Sequence, residues 1–556
     1  MTAGFDTIAL ARPARVFVDA ATIGGAILAV ALVIGITTAR HYGMTVDEFN
    51  TDDYGPKALA WYTSGFTDRA HFETVEFSLW YYGPWAQILI AFIQSFGLAD
   101  PLTVRHAVTF VIGLAGLAAL LPLARLTVGR WAGPVALVLC LITGNLYGSL
   151  FFTPIDVPFL AAMCWATLAI VVMARRVVPT WPATVCAGLA IGLAVATRPG
   201  GILAHLYLVG AMALAALEVV LTYGRAARPY VLAIGLRTAM AIATAWATAI
   251  ALWPWLQVGN PLAQFWIAFV HFGNIPMAMS FAHWGETLAT NALPWSYLPG
   301  QWLARLPEAF LVLLAFALVS ALIVIVQFAR AAVDRLRAQG AGGLRAPALL
   351  VARSRATLVI WAAALVPVGY IMLRQPTLYD GIRHTLFVIP MLALLAGWAA
   401  LRLLPVLRRA AIPAAIATAA YVSALVVNLA LLHPLEYIAT NAFAGGTRGA
   451  YGRFEQDYWS AAATEALRRL ERRLDAVGAF ARDPPSLLVC IGWREGMVPV
   501  LQRKPWRLER DVSKADFVIE TERWRCAAGT KDLALIDQVT RFDRAFAWTY
   551  ARARGQ

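Results

Sequence analysis

The chain has 556 residues, 60% of them hydrophobic and only 14% charged, with a formal net charge of +14 and a mean hydropathy of +0.65. Soluble domains average about 25% charged and about 45–50% apolar residues. The excess excludes a disordered chain, a collagen, a disulfide-rich secreted module and an ordinary soluble enzyme, and it leaves a polytopic helical membrane protein.

Charge is spread unevenly. Residues 433–556 hold twenty basic and sixteen acidic groups, whereas the charges of 1–432 lie mostly in short loops between apolar runs. The chain therefore divides into a transmembrane domain, 1–432, and a polar C-terminal domain, 433–556, long enough for a small core of its own.

In chain order, apolar runs of about the length that crosses a bilayer fall near 16–39, 103–124, 132–152, 157–174, 181–197, 200–222, 231–255, 308–329, 356–373, 383–401 and 411–432. This predicts eleven transmembrane helices. The first run has no small-residue cleavage pattern after it and reads as a retained span, not a signal peptide. The run 81–98 is set apart. Counted as a span, it would place Arg125, Arg130, Arg175 and Arg176 outside, against the positive-inside rule. It is expected to lie in or dip into the outer leaflet as a juxtamembrane helix of the first outer loop. With the N-terminus cytoplasmic, Arg12, Arg15, Arg225 and Arg228 face inward. So does the 330–355 loop, which reads as a flexible basic linker near anionic headgroups. The odd span count puts 433–556 outside, in the periplasm of a bacterial inner membrane. Most of the positive charge thus sets topology and gives no sign of a nucleic-acid partner.

Four outward loops carry chemistry. The first, 40–102, begins MTVDEFNTDDYGPKALAWY, with Asp47 and Glu48 directly on the span end, where a carboxylate is costly unless solvated or used. Lys57 follows, the one lysine of 1–432, at a position that also suits snorkelling from an interfacial helix. The second is FFTPIDVPF, 151–159, with Asp156 at a span start, where N-capping and a functional role are both open. The third, 256–307, is aromatic and proline-rich. Its Trp295 and Tyr297 suit either an aromatic belt or a sugar face. The fourth is RQPTLYDGIRH, 374–384, whose Arg383 and His384 open a span from the outer side against the positive-inside bias. Pairing with Asp380 would also satisfy Arg383 locally. Arg198, in ATRPGG, reads as a snorkelling or turn-flanking residue. Carboxylates and cations on one membrane face are what transfer from a lipid-linked phosphate donor requires: a general base for the acceptor hydroxyl and cations for the phosphate leaving group.

The ordered set resembles the C superfamily of glycosyltransferases, in particular the protein O-mannosyltransferase and lipid A aminoarabinose transferase group. The residues that carry the resemblance are Asp47-Glu48 after the first span, YYGP at 81–84, Asp156 before Pro158, LPWSYLPGQW at 293–302, YDGIRH at 379–384, and the segment 433–459. The resemblance implies an eleven-span layout, a polyprenyl-phosphate sugar donor and inversion in one displacement. Asp47 would be the general base, with Glu48 and Asp156 supporting it or orienting the acceptor. The aminoarabinose transferases carry a basic residue before the juxtamembrane proline, where this chain has Gly83. Phosphate binding then falls to Arg383, His384 or Lys57. Tyr82, Trp295, Tyr297 and Asp380 are candidates for sugar or acceptor contact. The acceptor would be a lipid, glycan or protein. The competing readings are a secondary transporter, which keeps ionisable groups near the midplane, and a non-catalytic membrane assembly subunit.

His71, His271 and His283 form no compact ligand pattern with the acids, so no metal ligands are assigned, though a divalent metal stays open as a cofactor. In the C-terminal domain, TEALRRLERRLDAV (464–477) predicts a helix, and 486–492, 515–520 and 545–551 predict strands. This makes a small α/β unit with an accessory, acceptor-binding or packing role. Cys490 and Cys526 lie there and are able to pair in an oxidising compartment.

Overall fold

Backbone polar groups in hydrocarbon have no water to bond, so an apolar run satisfies them internally by coiling into a helix. The computed structural model follows this rule. It describes residues 19–73, 76–273, 279–481, 484–490 and 504–553. Arg12, Arg15 and the first residues of the run 16–39 lie outside the described residues, as do Ile491 and Gly492 of the run 486–492.

The principal helices of the first half are α1 (Ala20–Thr38), α2 (Val46–Thr51), α3 (Tyr54–Thr63), α4 (Trp85–Gln94), α5 (Pro101–Ala118), α6 (Ala132–Leu141), α7 (Gly144–Phe152) and α8 (Asp156–Ala174). They are followed by α9 (Trp181–Val195), α10 (Ile202–Tyr223), α11 (Arg228–Leu252), α12 (Glu308–Gln339), α13 (Arg355–Arg374), α14 (Ile389–Leu403) and α15 (Ala411–Leu432). Among the described residues, eight helical segments are long and apolar enough to cross a membrane, or nine if α6 and α7, bent by 73° at their junction, make one broken span. The sequence predicts eleven. Two of those, 200–222 and 231–255, fold as α10 and α11 inside one segment, Pro199–Leu252. Another, 181–197, yields α9 of only 15 residues. The run 81–98 yields the ten-residue α4, about 15 Å long and too short to cross.

One expectation is corrected. The 330–355 stretch is no flexible linker: α12 continues as helix to Gln339, and Arg345–Arg353 is helical again. Its alanines, arginines, leucines and glutamines are strong helix formers, and only the glycines of 340–343 interrupt them.

α8 is the centre of the bundle. In its apolar window 83% of residues are buried, against 6% in the segment that contains α15. Small residues let helices approach closely. A Cβ at Gly188 or Gly192 of α9 would press on the carbonyls of Ala241 or Ala245 of α11.

Beyond α15, residues 433–461 run over one end of the bundle. Asn441 donates to the carbonyls of Leu303 and Leu306, both at 2.7 Å, and the Val46 amide to the carbonyl of Trp459 at 3.2 Å. Then comes α16 (Ala462–Ala476), whose buried Leu467 and Leu470 leave Arg472 and Arg473 on the other face. It packs on a sheet. A β-hairpin in the third loop gives β1 (Ser280–His283) and β2 (Glu286–Ala289). The C-terminal sheet has β3 (Ser486–Cys490), β4 (Arg507–Leu508), β5 (Phe517–Thr521), β6 (Leu533–Arg541) and β7 (Arg544–Arg552), in the order β4-β3-β5-β7-β6. β3 is parallel to β4 and β5; β7 is antiparallel to β5 and β6. β6 goes beyond the strands read from the sequence. Cys490 and Cys526 form a disulfide, with Cα atoms 5.9 Å apart.

Candidate active site

The four loops meet at one end of the bundle, under the C-terminal domain. Their meeting point is the guanidinium of Arg383, which opens the short turn that leads into α14. Its Nη2 lies 2.5 Å from Asp47 Oδ2, its Nε 3.0 Å from Asp156 Oδ2 and its Nη1 2.8 Å from Asp380 Oδ2. The planar fork with five donors meets each carboxylate with a different nitrogen. The second oxygen of Asp156 pairs with Arg198, and the second oxygen of Asp380 with Arg523 of the C-terminal domain at 2.9 Å. Asp156 and Asp380 are 4% and 3% exposed, whereas Asp47 keeps 26% of its side chain open. Oδ2 of Asp47 is itself buried, so that opening lies on the rest of the side chain.

Local sequence explains each placement. Asp47 is the second residue of α2, where the helix dipole favours an acid. Its neighbour Glu48 serves the helix start: Thr45 Oγ1 accepts from the Glu48 amide at 3.2 Å while Glu48 Oε2 accepts from the Thr45 amide at 3.0 Å, a reciprocal capping box. His106 of α5 meets Glu48 at 2.9 Å, and Arg105 meets Asp52 at 2.5 Å and the Glu48 carbonyl at 3.3 Å. α2 is thus fastened at both ends, and Asp47 is aimed by its neighbours.

Asp156 is the first residue of α8 and makes no side-chain cap. The capping reading is thereby corrected, because its two oxygens are taken by Arg383 and Arg198. Asp380 sits at φ 59° ahead of Gly381 at φ 67°, a left-handed pair tolerated best by Asp, Asn and Gly. It reverses the chain so that Asp380 and Arg383 face each other.

Arg198 is held by the YYGP segment. The Gly83 amide donates to the Thr197 carbonyl at 3.2 Å and the Trp85 indole to Thr197 Oγ1 at 2.6 Å. A Cβ at residue 83 would run into the Ala196 carbonyl, so only glycine fits there. The contact brings the Tyr82 ring within 5.4 Å of the Arg198 guanidinium, in cation–π range.

Burial pushes the Asp47 carboxyl up to about 6, with Arg383 opposing and Asp380 and Asp156 adding to the rise. This is a carboxylate poised near neutrality, as a general base needs.

Of the sequence candidates, Asp47, Asp156, Asp380, Arg383, His384 and Tyr82 come together. His384 is half-buried beside Tyr379, ring centroids 4.6 Å apart, and its Nδ1 is buried with no hydrogen-bond partner among the described residues. Tyr297 is buried nearby, its hydroxyl 3.5 Å from the Gly381 carbonyl. Lys57 stands apart on α3, paired with Asp53. Glu48 is turned into the capping box, and Trp295 is 65% exposed at the surface. The three carboxylates converge on a guanidinium. Among the described residues no group of three His, Cys, Asp or Glu side chains is placed to hold a metal ion.

Sequence reasoning missed two partners. Arg198 carries the same signal as Arg383, an arginine at a span end expected to face outward against the charge bias, but snorkelling or flanking a turn accounts for it equally in the sequence. Arg523 is one of twenty basic residues in its domain, and nothing in the sequence singles it out.

No family model matches the chain, and no curated protein does. Solved structures are similar over nearly the whole length. The crystal structure of ArnT from Cupriavidus metallidurans bound to undecaprenyl phosphate is 15% identical, with 95% of this chain and 97% of that one covered and a TM-score of 0.44. The archaeal oligosaccharyltransferase AglB from Archaeoglobus fulgidus, in complex with an inhibitory peptide and a dolichol-phosphate, is 13% identical, with 90% and 69% covered and a TM-score of 0.41.

Proposed function

We propose that the chain is an integral membrane glycosyltransferase that moves a sugar, a hexose or pentose, from a polyprenyl phosphate to a lipid, glycan or protein acceptor at the periplasmic face. The observation that carries this reading is Asp47, a half-buried carboxylate raised to about 6 and held against Arg383 at the end of an apolar bundle. In the reaction, the acceptor hydroxyl attacks the anomeric carbon from the face opposite the phosphate. The new carbon–oxygen bond forms as the bond to the phosphate oxygen breaks. The bonding electrons leave with polyprenyl phosphate, and the hydroxyl proton passes to Asp47.

Arg383 and Arg198 offset the phosphate charge, with His384 beneath them. Arg198 supplies the cation that residue 83 cannot, since a side chain there has no room. Donor phosphate reaches Arg383 in competition with Asp47, whose carboxylate it releases toward the acceptor. Tyr82 and the exposed Trp295 offer aromatic surface to the sugar and acceptor, while the buried Tyr297 backs the Gly381 turn. Asp156 and Asp380 hold the guanidinium in place. Glu48 holds α2, and Lys57 has no part in the chemistry.

The test is transfer of labelled sugar from synthetic polyprenyl-phosphate donors by purified protein. Asp47→Asn lowers kcat by about 10²–10⁴-fold, the usual worth of a general base, while donor binding persists. Full activity in that variant would remove Asp47 from the chemistry. Solute accumulation in proteoliposomes without transfer would favour a transporter.

A further inference from the structure

We infer that the C-terminal domain is part of the catalytic machinery: Arg523 is a positioning residue that reaches across the domain boundary to Asp380, and the Cys490–Cys526 disulfide holds the turn that carries it. The inference rests on the glycosyltransferase reading and assigns this domain a role in the same site.

The geometry is specific. Arg523 is only 14% exposed, and its guanidinium is engaged on both sides of the boundary. Nη1 donates to Asp380 Oδ1 at 2.9 Å and to the Tyr458 carbonyl at 2.7 Å. Nε meets Glu455 Oε1 at 3.1 Å, and Nη2 lies 3.3 Å from the Met279 sulfur. Asp380 is therefore shared between two arginines, Arg383 on Oδ2 and Arg523 on Oδ1. Truncating Arg523 leaves a 3%-exposed carboxylate with one oxygen unpaired. The uncompensated charge then draws Arg383 toward Asp380 and away from Asp47.

The turn itself is clamped. Arg523 lies just past β5, and the Thr521 amide donates to the Trp524 carbonyl at 3.1 Å. Three residues after Arg523, Cys526 is bonded to the end of β3, and the Ala527 amide donates to Glu520 Oε2 at 3.1 Å. The side chain thus projects from a covalently closed loop, a platform for rigid positioning.

The charged groups acting on Asp47 are Arg383 and Asp380 from the fourth loop, Asp156 from α8 and Arg523 from the C-terminal domain. Around Arg523 itself stand Asp380, Glu455 and Asp47. Arg523 counteracts the acids, so its loss raises the Asp47 carboxyl further.

The experiment compares pH profiles of kcat/KM in the full-length protein for wild type, Arg523→Gln, Arg523→Lys and the control Arg473→Gln, whose arginine on α16 pairs with Asp537 of β6, away from the turn. Arg523→Gln is expected to lower kcat about tenfold, with KM for the donor little changed. It also moves the acid limb upward by about one pH unit. Arg523→Lys restores most of both, and Arg473→Gln leaves both as in wild type. Cys490→Ser/Cys526→Ser shifts the limb the same way by less. A merely structural defect lowers kcat at every pH and leaves the limb in place, and that result overturns the inference. An unshifted disulfide variant beside a shifted Arg523→Gln removes the role of the disulfide alone.

A measure independent of turnover is the infrared band of the protonated carboxyl, wild type minus Asp47→Asn. Its midpoint is expected near pH 6 in wild type and higher in Arg523→Gln. An unmoved midpoint sinks the inference whether or not the protein transfers sugar. Absence of transfer in wild type, with the midpoint moved, sinks only the functional reading.

Discussion

The end of the bundle holds two acid clusters that solve burial differently. Around Arg383, each carboxylate meets a guanidinium: Asp47 one, Asp156 and Asp380 two apiece. Under the C-terminal domain, Glu522 relies on the backbone amide of Asp457 at 3.1 Å. Burial lifts it to about 7, and it lifts Glu455 to about 7 even though Arg523 opposes the rise. The first cluster keeps charges in place by pairing, and the second limits its cost by giving up charge near neutrality. The first arrangement suits the proposed function, in which a site neutralises an anion and then accepts a proton. The second suits a docking surface.

The sharpest way to break this contrast is Arg383→Gln. It strips the shared partner from three carboxylates at once. Removing one member of a buried ion pair costs about 3–5 kcal/mol, so the variant should be both inactive and markedly less stable in detergent. Arg383→Lys keeps the charge but gathers its donors on one nitrogen in place of the three that meet Asp47, Asp156 and Asp380, and should recover stability more than activity. Thermal unfolding and transfer assays on the two variants check this. Equal activity in all three proteins would mean that the cluster is only structural.

A smaller effect is expected of Asp380→Asn. Asp380 is a like charge acting on Asp47, so its removal lowers the Asp47 carboxyl. A base works when deprotonated, so activity rises with pH through its titration. The acid limb of kcat/KM, expected near pH 6 in wild type from the Asp47 carboxyl, should then move down by about half a unit to one unit. This is opposite in direction to Arg523→Gln. Shifts of the same sign in both variants would show that the limb does not report Asp47.

How much of this was legible depends on whether a residue's partners are local. α16 was readable because its leucines and arginines alternate with helical period. The apolar runs were readable because hydrocarbon forces helices on them, yet their number as membrane crossings was not, since a bend at 142–143 and a 15-residue helix are matters of packing. Asp47 and Glu48 looked alike in sequence. Only the capping box with Thr45 and the contact with His106, 58 residues away, mark Glu48 as buried scaffold and leave Asp47 facing Arg383. Arg198 and Arg383 gave the same charge-bias signal, but a turn-flanking arginine has an ordinary explanation and Arg198 was given it. Arg523 had no signal at all, because its partner lies 143 residues away, in the fourth loop of the bundle. Residues 330–339 misled in the opposite sense: their charges suggested a linker, while their helix propensity let α12 run on.

The smallest predicted effect tests the second cluster by itself. Glu522 has a raised carboxyl in the folded protein, about 7 against an ordinary 4.5. A raised acid binds its proton more tightly when folded. Its contribution is therefore fully present below the unfolded value and is lost as pH rises through about 7. Glu522→Gln keeps the size and the acceptor oxygen for the Asp457 amide but cannot ionise. At pH 8 the variant should unfold a few degrees higher than at pH 5 when each is referred to wild type. Transfer activity should change little, because Glu522 contacts none of the carboxylates around Arg383. If the melting difference does not vary with pH, Glu522 is charged in the folded state and the two clusters manage burial in the same way. If activity falls as steeply as in Arg523→Gln, the acids under the C-terminal domain belong to the catalytic cluster as well, and the boundary between docking surface and site has to be moved outward past Glu455.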